Sequence, residues 1–261
     1  MPCSFGSVSL LPWGIRAVQP YEYELMHAHE LRHWWFRGRR RVLMDLLRTA
    51  AGVRAGSLRI LDYGCGTGGN TLAYASLGSV VGIEPDSAAV RLANQRGGGR
   101  YCRTNGTQLP FRQDTFDAVV ASDVIEHIEN DIAAVAEIAR VTRPGGTAVI
   151  SVPAHQWLFS EHDAALHHYR RYGKALLRDV LQRNGFKVVR LTYWNSALFP
   201  VICLRRLLWR RRTAIDPQSD MASSPWVVNE ALAALLAAEA AVLRHAQLPW
   251  GVSLLCVAER M

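Results

Sequence analysis

The stretch LRILDYGCGTGG (58–69) constrains this chain more than any other. A short apolar run meets four glycines within six positions, and a helical pattern follows. Glycine lets the backbone turn sharply and approach a ligand closely. The helix that opens there presents free N–H groups. A second strand-like run, SVVGIEPD (79–86), places Glu84 22 residues after Asp62, where a carboxylate can hold ribose hydroxyls. Two details point away from a dinucleotide. The spacing is GxGxG rather than GxGxxG, and Asp62 precedes the first glycine. An acid there repels a pyrophosphate but suits an ammonium group.

The same alternation continues. Helix 87–96, a strand near 100–104, a strand within 116–128, helix 131–142 and strand 147–153 follow in turn. Strands alternating with helices predict a doubly wound, mostly parallel sheet. A polar, histidine-rich stretch (154–173), helix 174–185 and strand 186–194 come next, and a closing strand begins near Gly251. The expected organisation is an irregular segment 1–20, an N-terminal lid helix 21–56, a core 57–194 with a substrate region 154–173, a helical insert 195–249 and a final strand 250–261. No apolar run is expected to approach the ~18 residues of a membrane span.

Composition bounds the partners. The net charge of +8 suggests an acidic partner: nucleic acid, an anionic membrane or a phosphorylated substrate. Five scattered cysteines with no CxxC spacing argue against a disulfide framework or zinc site, and for a reducing compartment. The weak apolar run VSLLPWGI is a poor signal peptide, so a cytoplasmic protein is expected, with membrane association left open.

At this point the chain resembles a class I S-adenosylmethionine-dependent methyltransferase of the type 11 or type 12 small-molecule group. LDYGCGTG, GIEPD, NGTQLPF (105–111), FDAVVASDVIEH (116–127) and RVTRPGG (140–146) resemble its motifs in order. The resemblance implies a Rossmann-like α/β fold of seven strands, mostly parallel with an antiparallel last strand, and S-adenosyl-L-methionine as cofactor. It implies cofactor contacts from Asp62, Gly64, Cys65, Gly66, Glu84, Pro85, Asn105, Gly106, Thr107, Ser122 and Asp123. Asn105 stands where the family usually has Asp, and its carbonyl is expected to accept from the adenine amine in Asp's place.

Catalysis then asks the protein to exclude water, align the acceptor and remove a proton. Candidate bases are His127, His162 and His168, because histidine titrates near neutral pH. His155 and Tyr169 are expected at the substrate, with Asp163 a weaker candidate. The histidines match no fixed ligand spacing, so no metal is expected. Glu126 and His127 do resemble an EH pair linked to a divalent ion in ubiquinone-pathway O-methyltransferases, which keeps that alternative open.

Two basic stretches remain. HWWFRGRRR (33–41) lies on the lead helix, which in the family folds over the cofactor cleft. Trp34, Trp35 and Phe36 are expected to cover cofactor or acceptor, Arg37 to pair with the cofactor's carboxylate, and Arg39 to Arg41 to form a solvated face. LFPVICLRRLLWRRR (198–212) reads as an interfacial membrane helix or a helix packed on the domain. The Ala/Leu-rich helix 226–246 is expected to pack against it or against a second copy. The expected activity is methyl transfer to an oxygen or nitrogen of a small-molecule or lipid-linked acceptor. RNA methylation and a non-catalytic cofactor-binding subunit are the alternatives. Against RNA, the chain carries no added RNA-binding module.

Overall fold

The strands form one seven-stranded sheet in the order β3-β2-β1-β4-β5-β7-β6. The strands are β1 Leu58–Tyr63, β2 Gly78–Glu84, β3 Arg100–Arg103, β4 Phe116–Ser122, β5 Thr142–Pro153, β6 Phe186–Trp194 and β7 Ser253–Arg260. The computed structural model describes residues 20–50, 52, 56–209 and 225–261. β1 to β5 pair in parallel, whereas β7 slots antiparallel between β5 and β6. The chain leaves β1 toward β2 and later returns on β1's other side as β4. That reversal opens a crevice at the carboxyl ends of β1 and β4.

Both faces of the sheet are covered, so its central strands are apolar on both sides. Leu61, Tyr63, Val119 and Ile150 pack in one core with Ile138 of α5 (Asp131–Val141) and Leu177 of α7 (Lys174–Arg183). Ile60, Val120, Val149 and Leu255 belong to the opposite core, with Leu43 and Leu47 of α2 (Trp34–Ala50) and Leu236 of α9 (Trp226–Leu243).

The N-terminal segment differs from the single helix that its periodicity predicts. It forms α1 (Pro20–His29) and α2, with a break at residues 30–33. No proline or glycine marks that break. Asn229 of α9 satisfies it instead: its Oδ1 accepts from Trp34 N at 2.8 Å, and its Nδ2 donates to Arg32 O at 3.1 Å. Gly38 is where the two helices touch. A Cβ there would lie 2.7 Å from Leu236 Cβ, so only glycine lets the backbones approach this closely.

α9 packs on α2. By length and composition it is apolar enough to cross a bilayer, contrary to the expected lack of such a run. Its carboxylates tie it to the domain. The buried Glu239 accepts from Ser196 N and Ala197 N, and Glu230 pairs with Arg37. Of the basic stretch 198–212, α8 (Phe199–Trp209) is described, while residues 1–19 and 210–224 lie outside the described residues. Cys65, Cys102, Cys203 and Cys256 form no disulfide.

Candidate active site

The glycine turn caps β1. Gly64, Gly66 and Gly68 have φ of 76°, 53° and 86°, the left-handed region open to glycine. Gly64 N and Cys65 N both donate to Ile83 O at 2.9 Å, which pins the turn to β2. Glu84 accepts from Gly66 N at 3.1 Å and Asp86 N at 3.4 Å. Asp62 accepts from Thr71 Oγ1 at 2.5 Å, tying the turn to α3 (Gly69–Tyr74). Burial pushes both carboxyls up to about 7 and outweighs those hydrogen bonds, with the charge of Glu30 adding to the effect at Asp62. Burial also holds the Cys65 thiol well above its usual value, so it stays protonated.

The cover over this turn is α1. A Cβ on Gly66 would sit 2.5 Å from Met26 Cε, so the tip of that side chain lies directly on the turn. Tyr23 is partly buried, close enough to Glu84 and Asp86 for desolvation and then their charges to raise its hydroxyl. Glu30 binds Thr67 Oγ1 and pairs with Arg96 at 2.9 Å, and Arg96 in turn donates to Thr67 O at 2.9 Å. Sequence reasoning missed Tyr23, Met26, Glu30 and Arg96. None lies in a motif, and a helical run alone does not say what it lies upon.

In the segment expected at the adenine, Asn105 Oδ1 accepts from Gln108 N at 2.8 Å and Thr107 Oγ1 at 3.5 Å, closing its own turn. Gly106 is buried and its carbonyl accepts from Tyr63 Oη at 2.6 Å. Pro85 O accepts from Arg103 Nε at 2.9 Å.

At the end of β4, Asp123 has φ 54° and accepts from Arg39 Nη1 at 2.5 Å and Ser151 Oγ at 2.9 Å. Arg39 was expected on a solvated face. Instead it reaches across from α2 into the crevice, braced over the Phe36 ring at 5.3 Å. Arg37, the expected partner of the cofactor's carboxylate, faces away and binds Glu230. The helix turns about 100° per residue, so neighbouring arginines diverge. Trp35 stacks on the buried Trp194 at 5.1 Å and 24°, which makes it a packing residue rather than a cover for the acceptor.

Next to Asp123 the polar groups are less well matched. Ser122 Oγ and both carboxylate oxygens of Glu126 are buried and have no hydrogen-bond partner among the described residues. Glu126 is fully buried, and desolvation raises its carboxyl well above the usual range. The His127 and His168 rings meet edge to face at 4.5 Å. Ligand atoms of Glu126, His127 and His168 lie within 4.8 Å of one another, so these three are the residues that could hold a divalent ion. Chain spacing could not reveal His168 as the third.

The candidate bases separate. Burial, then the neighbouring His168, lowers His127 to about 3, which favours its neutral form. His168 Nδ1 faces Asp163 Oδ1 at 3.2 Å, and donation to that anion leaves Nε2 as the acceptor nitrogen. Asp163 is fully buried and also binds Arg171 Nε at 2.7 Å. His162 lies on α6 (Glu161–Ala165), outside the Glu126 group.

After β5, His155 has φ 64° and stacks on Tyr193 at 5.0 Å, beside Trp157 and Phe199. Its Nε2 is buried without a hydrogen-bond partner among the described residues. Tyr169 stays exposed, with its N–H donating to Glu126 O at 2.8 Å.

Comparison with known proteins bears on the family and the fold. A family model described as "Methyltransferase domain" matches residues 61–150. An uncharacterized methyltransferase of Mycolicibacterium vanbaalenii is 34% identical over 174 residues, covering 65% of this chain and 67% of the relative. One from Mycobacterium ulcerans is 31% identical over 196 residues, covering 72% and 76%. Among solved structures, a chain from the complex between the Haloferax volcanii Trm112 methyltransferase activator and a methyltransferase has TM-score 0.59 and 19% identity, covering 92% and 93%. Phosphoethanolamine N-methyltransferase 2 of Haemonchus contortus, with S-adenosyl-L-methionine, has TM-score 0.58 and 19% identity, covering 84% and 52%. At these identities the structures establish the fold alone.

Proposed function

This chain belongs to the class I S-adenosylmethionine-dependent methyltransferases of the type 11 group, and from that premise we propose that it methylates an oxygen or nitrogen of a small-molecule or lipid-linked acceptor. The observation that carries the reading is the pairing, across one crevice, of a glycine turn flanked by Asp62 and Glu84 with the buried, unmatched Ser122 and Glu126. In this reading Asp62 holds the cofactor's ammonium group and Glu84 its ribose hydroxyls. The bound sulfonium supplies an activated methyl group.

The chain's own residues then have three tasks. α1 and the Arg39–Asp123 pair cover the crevice and exclude water. Glu126 offers polar contacts that orient the acceptor. His168, held by Asp163, takes the acceptor's proton at Nε2.

Calorimetric titration with S-adenosyl-L-methionine tests the cofactor half. The Asp62→Ala variant is expected to bind about a hundredfold more weakly; unchanged affinity overturns the assignment. Incubation with methyl-labelled cofactor and cell extract, followed by solvent partition, tests the acceptor half. Label in a small-molecule or lipid fraction supports it, and label confined to RNA overturns it.

A further inference from the structure

Three tryptophans face outward around the mouth of the crevice. Trp157 follows β5, Trp250 leads into β7 and Trp226 opens α9, and they are 60%, 53% and 76% exposed. Trp34, Trp35 and Trp194, by contrast, are wholly or partly buried.

All three belong to the carboxyl end of the sheet. Trp157 lies 6.3 Å from Phe199 at the start of α8, and two residues beyond His155. Trp250 O accepts from Ser196 Oγ, just past the buried end of β6. α9 begins beside the N-terminus of α2, where Asn229 meets Trp34. Further exposed apolar residues continue this rim: Val227 and Val228 after Trp226, and Val201 and Leu204 on α8. Val201, Leu204 and Arg205 fall on one exposed face of α8 at i, i+3 and i+4. The chain as a whole carries a net charge of +8.

We propose that this rim docks on an anionic phospholipid bilayer and lays the mouth of the crevice against the lipid headgroups. Tryptophan suits that boundary, with an apolar body and one N–H donor. Arg205 and the net charge of +8 complement the negative surface charge, which a neutral apolar partner would leave unmatched. α9 lies on the surface rather than crossing it, because Glu230, Glu239 and the Gly38–Leu236 contact bind it to the domain. That the acceptor enters from the membrane rests on the lipid-linked reading above; the docking itself does not.

Co-sedimentation of the full chain with sucrose-loaded vesicles tests this. Phosphatidylcholine vesicles containing phosphatidylglycerol are expected to bring the protein down at low salt, and phosphatidylcholine alone much less. The double variant Leu204→Glu and Trp226→Glu is expected to bind about tenfold more weakly, with cofactor affinity unchanged as a check on folding. Failure of the wild type to sediment with anionic vesicles overturns the proposal, as does a double variant that binds like wild type. A wild-type dimer that the double variant dissociates, without vesicle binding by either, assigns the face to a second copy instead. Loss of the cofactor reading would appear separately, as absent calorimetric heat in a protein that still sediments.

Discussion

The two ends of the crevice are built differently. At the β1–β2 end the buried carboxylates are matched: Thr71 binds Asp62, and Gly66 and Asp86 bind Glu84. At the β4–β5 end, Ser122, Glu126 and His155 keep buried polar atoms without a hydrogen-bond partner among the described residues. Leaving such atoms unmatched is costly, so they persist where a ligand can satisfy them. In the reading proposed above, the first end holds the cofactor and the second the acceptor.

The sharpest way to break this contrast is at Glu126. Glu126→Leu is expected to lower turnover by about a hundredfold while leaving the melting temperature unchanged or higher, because it removes an unmatched buried carboxyl. Cofactor affinity by calorimetry should stay within about twofold of wild type. A large fall in melting temperature with turnover intact would make Glu126 a structural residue.

Next in size is a pH effect at the other end. Asp62 and Glu84 are raised to about 7, so their neutral forms stabilise the cofactor-free fold. That contribution is complete below the usual carboxylate range and is lost as pH rises through about 7. Binding of an ammonium group needs Asp62 ionised. Affinity for S-adenosyl-L-methionine is therefore expected to be roughly tenfold weaker at pH 6 than at pH 8. Asp62→Asn should flatten that profile in calorimetry across the range, and a flat wild-type profile would remove Asp62 from the ammonium site.

Smaller effects separate the arginines of α2. Arg39→Gln is expected to cost about 2 kcal/mol in chemical denaturation, since it leaves Asp123 without its closest partner. A double-mutant cycle with Asp123→Asn should show that the two changes are not additive. Arg37→Ala removes an exposed pair with Glu230. It should leave both the melting temperature and cofactor affinity unchanged within error; a weakened cofactor would restore Arg37 to the site.

Legibility in the sequence follows the same division. The glycine turn, Glu84 and the alternation of strands and helices are local signals, because backbone conformation and burial period are written into neighbouring residues. The meeting of Glu126 and His127 with His168 depends on how the 154–173 stretch folds back, so no fixed spacing announces it. The arginines of HWWFRGRRR look alike in sequence. Their different fates depend on which side of α2 meets Glu230 and which meets Asp123.

By itself, then, the sequence determined the alternation of strands and helices and the glycine turn after the first strand, since each follows from residues close together in the chain, and the resemblance of those motifs to a known family supplied the cofactor. Tertiary structure alone decided where the lead segment breaks, which helix covers the turn, which arginine enters the crevice and which buried polar groups stay unmatched. Those outcomes depend on contacts such as Asn229 with Trp34 and Leu236 with Gly38, made across nearly 200 residues of chain. Periodicity and local propensity carry no information about such partners.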